Sequence, residues 1–128
     1  MAMITPNAKN HEGLAALASR YVDVASLPWT PTRFKGVDMK LLMEDKETGL
    51  STALVRFAPS ATLPDHEHVE LEQTFVLEGS LEDQEGAATV GNYVWRPAGS
   101  RHDAHAPNGC LALSFFLKPN KFFDTPAG

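Results

Sequence analysis

Between Pro64 and Gly79 the chain reads PDHEHVELEQTFVLEG, and two imidazoles and a carboxylate in this run are spaced to share one target. His66 and His68 are two residues apart, so on an extended strand both project to the same face, and Glu72, four residues on, keeps that parity. A metal ion needs ligands that converge on a point, and alternate residues of a strand supply them without a special loop. One such run gives only part of a coordination sphere. The rest is expected from a neighbouring strand, and the run GNYVWRPAGSRH offers His102 at its end. Glu70 shares the parity of Glu72, and a turn or bulge after His68 would exchange which of the two faces inward.

Three imidazoles and a carboxylate are borderline to hard donors, suited to Fe(II), Mn(II), Zn(II), Ni(II) or Co(II). Zinc would close a tetrahedral site with these four. Iron or manganese, which favour six ligands, would keep two positions for a substrate and O₂ or water. Histidine binds only when neutral, so affinity should fall below about pH 6–6.5.

Other residues near the two runs have assignable roles. His105 follows His102 by three and should face the opposite way, as a surface or interface histidine. Asp65 and Asp103 flank ligands and are candidates to orient an imidazole through its second nitrogen. Arg56 either meets an anionic substrate inside the fold or carries its charge to an edge, and Arg96 and Arg101 sit beside the second run. Thr74 and Val76 share the parity of Glu72 and should project near the metal, whereas Phe75 and Leu77 should face the other way. Trp95, Phe115 and Phe116 are candidates either to line an apolar pocket or to fill the core, and Cys110 reads as a small buried apolar residue.

The elements that must position these residues are mostly strands. From Pro28 onward, short apolar or alternating runs are separated by Gly, Pro, Asn and Asp. Strands are expected over 37–43, 50–57, 71–77, 92–95, 102–106 and 111–117, with weaker candidates at 21–24 and 88–90. About eight short strands with tight turns suggest a barrel or sandwich. Residues 1–27 are read as an N-terminal arm, in which Leu14, Leu17 and Tyr21 recur at helical spacing, so 8–21 could form a short helix. Residues 28–128 are expected to form the β domain. The runs 71–77 and 111–117 are apolar on both faces and need cover on both sides, which a second copy would provide. A homodimer is therefore expected.

A chain of 128 residues suits one domain with one core. A net charge of −5 argues against nucleic acid or an anionic membrane as partner, because phosphate binding needs a concentrated basic surface. No apolar run approaches the ~18–20 residues that cross a bilayer. Residues 1–10 lack the apolar segment of a secretory signal, and the single cysteine cannot form an internal disulfide, which together suit the cytoplasm.

The two runs together resemble the cupin superfamily. Its first motif matches His66, His68, Glu72 and Gly79, and its second matches Gly91, Pro97, Gly99 and His102. The leading glycine of the first motif is Ser60 here, and the asparagine that often ends the second would fall at Ala106, with Asn108 two places late. The resemblance implies an all-β jelly-roll barrel, the double-stranded β-helix, holding one divalent metal per chain on His66, His68, Glu72 and His102. It also implies that Glu72 could leave the metal and act as a catalytic base. The runs EQTFVLEGSLEDQEG and VGNYVWRPAGSRHDAHAPNGC are similar to the subgroup containing the cupin domain of ChrR-type anti-sigma factors, whose relatives cleave acetylacetone and dihydroxyacetophenone with O₂. That likeness implies an Fe(II)-dependent dioxygenase of a small diketone or hydroxylated aromatic ketone. The alternatives are a non-catalytic metal-binding sensor and a Zn- or Mn-dependent isomerase or lyase of a sugar or organic acid. The short N-terminal segment is too small for the separate helical domain with which an anti-sigma factor grips its partner.

Overall fold

The computed structural model describes residues 3–123, so residues 1–2 of the expected arm and 124–128 of the expected β domain lie outside the described residues. Eleven strands follow one another: β1 (Met3–Ile4), β2 (Thr30–Pro31), β3 (Val37–Asp45), β4 (Ser51–Phe57), β5 (Ala61–Glu67), β6 (Glu72–Glu82), β7 (Ala87–Thr89), β8 (Tyr93–Arg96), β9 (Arg101–Ala106), β10 (Cys110–Phe116) and β11 (Lys121–Phe122). Every pairing is antiparallel, and the main path runs β1-β3-β4-β10-β6-β9-β5-β11, with β2 on β3 and β7 and β8 on β6. The sheet curls into the expected jelly-roll barrel.

Strand β6 makes the closure possible. Its first part pairs with β10 and β8, and its last residues pair with β7 and β9 on the opposite wall. The change of wall occurs around Gly79, which has φ 70°. A Cβ there would overlap the Gly109 carbonyl oxygen, so only glycine allows the two backbones to approach.

Alternation along the strands sorts side chains as the sequence suggests. In β9, His102, Ala104 and Ala106 are buried while Arg101, Asp103 and His105 face out. In β6, Glu72, Thr74 and Val76 are buried, and Phe75 and Leu77 are exposed. The core packs Val37, Phe57, Val76 and Leu81 against several alanines, including Ala104, Ala106 and Ala112. Small inward side chains leave the barrel hollow: a cavity of about 340 Å³ opens among them.

Three expectations need correction. Residues 8–21 form turns rather than a helix, because Leu17 and Tyr21 are 97% and 80% exposed and no apolar stripe is buried to sustain one. Residues 21–24 form no strand; the only regular element nearby is a single 3₁₀ turn, Val24–Ser26. The metal-binding run is not one strand. The chain leaves β5 at Glu67, turns, and enters β6 at Glu72.

Candidate metal centre

Strand β5 enters the site with the wrong parity and is corrected by a bulge. Leu63 lies opposite Ala104 of β9, but His66 lies opposite His102, so the register slips by one residue between Leu63 and His66. Leu63 and His66 therefore both line the cavity, although they are three residues apart. The bulge brings His66 and His102 face to face as cross-strand partners, with ring centroids 4.5 Å apart.

His68 lies past the end of β5 and is fixed by the Pro97–Ser100 turn. Its N–H donates to the Ser100 carbonyl (2.9 Å), and its carbonyl accepts from the Gly99 N–H (2.7 Å). Glu72, the first residue of β6, lies across from Arg96 of β8 and Phe116 of β10. Each of the four residues offers one ligand atom, and those atoms lie within 4.8 Å of one another. His66, His68, Glu72 and His102 are only 2%, 0%, 9% and 4% exposed. Glu70, the rival carboxylate, is exposed in the turn.

Hydrogen bonds behind the rings set the tautomers. His66 Nδ1 lies 2.9 Å from the Pro64 carbonyl and His102 Nδ1 lies 3.1 Å from Asp83 Oδ2. Both partners only accept, so both Nδ1 atoms carry the proton. His68 Nδ1 lies 2.8 Å from Ser100 Oγ, whose own proton goes to the Pro97 carbonyl (2.7 Å), so this Nδ1 is a donor as well. With Nδ1 as the donor, each ring has its Nε2 left for the cluster, the arrangement metal-binding histidines adopt.

The consequence is sharpest between His68 and Glu72. His68 Nε2 and Glu72 Oε2 lie 2.7 Å apart, yet both are buried and neither has a hydrogen-bond partner of proper geometry. Two electron-rich atoms at that distance require a positive charge between them, and a metal ion satisfies both. The donor set and this orphaned pair fit a divalent cation.

The electrostatics agree. Burial, reinforced by Arg96 and the other two imidazoles, pushes His102 down to about 4. Burial likewise lowers His66 against the pull of the Pro64 carbonyl. Both rings are therefore neutral near pH 7 and ready to bind. Burial would raise the Glu72 carboxyl; a hydrogen bond and positive charge at His68 Nε2, with Arg96 and His66, outweigh it and hold Glu72 below the usual carboxylate range. Glu72 therefore stays low only with a cation at that spot, which a metal ion supplies when the ring is neutral.

Asp83 is the functional residue the sequence reading missed. Its carboxylate accepts from His102, from Arg96 Nη1 (2.8 Å) and from the Glu85 and Gly86 amides (2.7 and 3.1 Å). The signal was the acidic residue after the Gly79 turn, but nothing in the spacing tied it to His102. Asp65 instead pairs with Arg101 (2.8 Å), and Asp103 is exposed.

The other candidates fall as follows. His105 is exposed beside Glu82 (3.4 Å), and Cys110 is buried. Arg56 faces outward, paired with Asp38 (3.2 Å) and lying over Trp29. Arg96 alone of the three arginines lines the cavity. Trp95 is 59% exposed and Phe115 also faces out, whereas Phe116 lines the cavity with Phe34, Phe57 and Phe122. The cavity wall is therefore aromatic, but it draws on elements remote in sequence. Ser60 adopts φ 69°, so the turn before the first motif keeps its glycine-like conformation without the glycine. Ala106 is buried in the core, and Asn108 is exposed.

Residues 17–119 match the family described as the ChrR cupin-like domain. Among solved structures, the chain is similar to a candidate acetylacetone dioxygenase from Methylibium petroleiphilum PM1, with a TM-score of 0.78, 23% identity and 90% of each chain covered. It is also similar to an acetylacetone dioxygenase from Acinetobacter johnsonii, with a TM-score of 0.75 and 23% identity over 87% of this chain and 82% of that one. The anti-sigma factor ChrR of Rhodobacter sphaeroides, seen in complex with SigE, gives a TM-score of 0.62 and 24% identity over 71% of this chain and 50% of that one. No curated protein sequence matches the chain.

Proposed function

The chain belongs to the ChrR cupin-like domain family, and we propose that it is an Fe(II)-dependent dioxygenase cleaving a carbon–carbon bond in a small diketone or hydroxylated aromatic ketone. The observation that carries this reading is the convergence of three imidazole nitrogens and a carboxylate beside an apolar cavity, with His66, Glu72 and His102 on its wall. The likeness to acetylacetone dioxygenases supports the choice of chemistry.

In this reading His66, His68 and His102 hold the metal through Nε2, and Glu72 completes the set. Iron(II) bound there would supply Lewis acidity toward ketone oxygens and one-electron chemistry with O₂. Glu72, held ionised within the cluster, is also the group placed to take a proton from an enolisable ligand. Apolar walls, including Val55, Phe57 and Leu63, exclude water from the ligand. The test is anaerobic Fe(II) loading followed by an oxygen-electrode screen of diketones and aromatic hydroxyketones. Iron-dependent O₂ uptake is expected with one of these classes. Tight zinc with no iron-stimulated uptake would overturn the dioxygenase and favour the second reading, a metal-binding sensor, which the likeness to ChrR supports. A Zn- or Mn-dependent isomerase or lyase of a sugar or organic acid gains little, since Arg56 and Arg101 face solvent and Arg96 alone of the three lines the cavity.

The expected homodimer has its support on the outer face of the sheet. Leu54, Leu113, Phe75 and Tyr93 form one cross-strand row, in which Phe75 and Tyr93 are 38% and 50% exposed. The four carry no charge, and Lys40, which continues the row beside Leu54, is buried with its ammonium on the Val24 carbonyl, so a second copy can approach them without repulsion. A monomeric mass by light scattering at micromolar concentration would count against it.

A further inference from the structure

Thr74 and Ser114 are 3% and 4% exposed, and both line the cavity. They are cross-strand partners on β6 and β10, and Thr74 Oγ1 lies 3.1 Å from Ser114 Oγ. Each hydroxyl has one proton, and the bond between them uses one of the two. Among the described residues no other group accepts from either hydroxyl, so one donor stays unspent inside the barrel. Much of the wall that it shares is apolar: Val55, Phe57, Leu63 and Ala112 line the same cavity. Valine and alanine at 74 and 114 would fill the wall without burying an unmatched polar proton.

The position of the pair is informative. Thr74 is the next inward residue after Glu72 on β6, about 7 Å along the strand at the usual rise. A ligand whose oxygens face the metal cluster and whose body extends into the cavity passes the hydroxyl pair at that depth. We propose that Thr74 and Ser114 together form a recognition site for an additional oxygen acceptor, a phenol or carbonyl, borne on the apolar body of the ligand. This deepens the functional reading above and rests on it: between its two substrate classes, the pair selects the hydroxylated aromatic ketone over the simple diketone. A site built to hydrogen-bond an oxygen discriminates against the analogue lacking it, because the donor is then left unmatched.

The pair also predicts an unusual mutational pattern. Thr74→Val frees the Ser114 proton, and Ser114→Ala frees the Thr74 proton, so each single variant keeps one donor. Only the double variant has none. The probes are benzoylacetone and its para-hydroxylated analogue, titrated into the zinc-loaded protein, where no turnover occurs. Wild type is expected to bind the hydroxylated ligand about ten-fold more tightly, both single variants to retain that preference, and the double variant to bind the two equally. Equal affinities in wild type, a preference that survives in the double variant, or failure of both ligands to bind would overturn the proposal. Should the double variant not fold, the wild-type ratio and the Thr74→Ser/Ser114→Thr exchange, expected to preserve it, decide the matter. If the preference holds while the Fe(II)-loaded protein takes up no O₂ with either ligand, the dioxygenase reading fails and the recognition site stands.

Discussion

His102 Nδ1 lies 3.1 Å from Asp83 Oδ2, and the same carboxylate oxygen is held 2.8 Å from Arg96 Nη1. Asp83 therefore orients a metal-facing ring while its own position is set by an arginine on the cavity wall. Backbone amides and Arg96 more than offset its burial and hold its carboxyl below the usual range, so it remains an acceptor at neutral pH. Asp83→Ala should lower metal affinity about 10–100-fold, as loss of such a partner generally does. Asp83→Asn, which can still accept from Nδ1, should lose less. Competition against a chromophoric chelator reads both values, and unchanged affinity in Asp83→Ala would show that the ring needs no such anchor.

The His68–Glu72 contact yields a prediction of opposite sign for stability and binding. A Glu72→Gln side chain can turn its amide toward the bare His68 Nε2, satisfying an atom that lacks a partner. The metal-free protein should gain about 1–3 kcal/mol, the usual cost of an unmatched buried group. Its thermal shift on zinc addition should shrink at the same time, because one donor is gone. Melting curves with and without zinc test both halves; a less stable metal-free variant would count against the orphaned pair.

Ser60 sits in the left-handed region at φ 69°, where a side chain with Cβ is strained. Its backbone N–H still donates to the Ala106 carbonyl at 2.8 Å, so the turn itself is intact. Ser60→Gly should relieve the strain at some cost in chain entropy, for a net gain of about 0.5–1 kcal/mol. A rise of roughly 2–4 °C in the melting temperature is expected at this chain size. No rise would mean that local hydrogen bonding offsets the strain.

Burial pushes the Cys110 thiol up to about 11. Since only the thiolate is alkylated, about one molecule in a thousand would be reactive at pH 8 even if the reagent could reach it. Iodoacetamide should leave the native protein unlabelled at pH 8 for hours and label it rapidly in urea. Raising the native protein toward pH 10 should increase labelling about a hundred-fold per accessible thiol, which distinguishes ionisation from simple shielding. Rapid native labelling at pH 8 would contradict the burial.

The two sequence motifs, through their resemblance to the cupins, were sufficient for the barrel class and for His66, His68 and His102, and favoured Glu72 over Glu70. His-x-His, a carboxylate, a turn glycine and a distant histidine impose strong local constraints, and Gly79 is required wherever two backbones approach this closely. Strand alternation also predicted correctly that Thr74 faces in and that Phe75 and His105 face out, and residue type alone that Cys110 is buried. It gave the wrong reason for His66 and Glu72 sharing a site. They lie on different strands, and a bulge between Leu63 and His66 turns His66 inward. A one-residue slip leaves no mark in residue spacing, because it is settled by pairing with β9. The aromatic wall belongs to the same class: Phe34, Phe57 and Phe122 meet only when the sheet closes, while Trp95, nearer in sequence, faces solvent. Asp83 makes the point most directly. It lies just past the end of β6, an 11-residue strand that begins at Glu72, and a straight strand would carry it about 35 Å away. Because β6 crosses between walls at Gly79, Asp83 returns to Arg96, the cross-strand partner of Glu72, and from there holds His102. Ligand identity is local chemistry written in the chain; the support behind each ligand exists only once the curled sheet brings distant segments together.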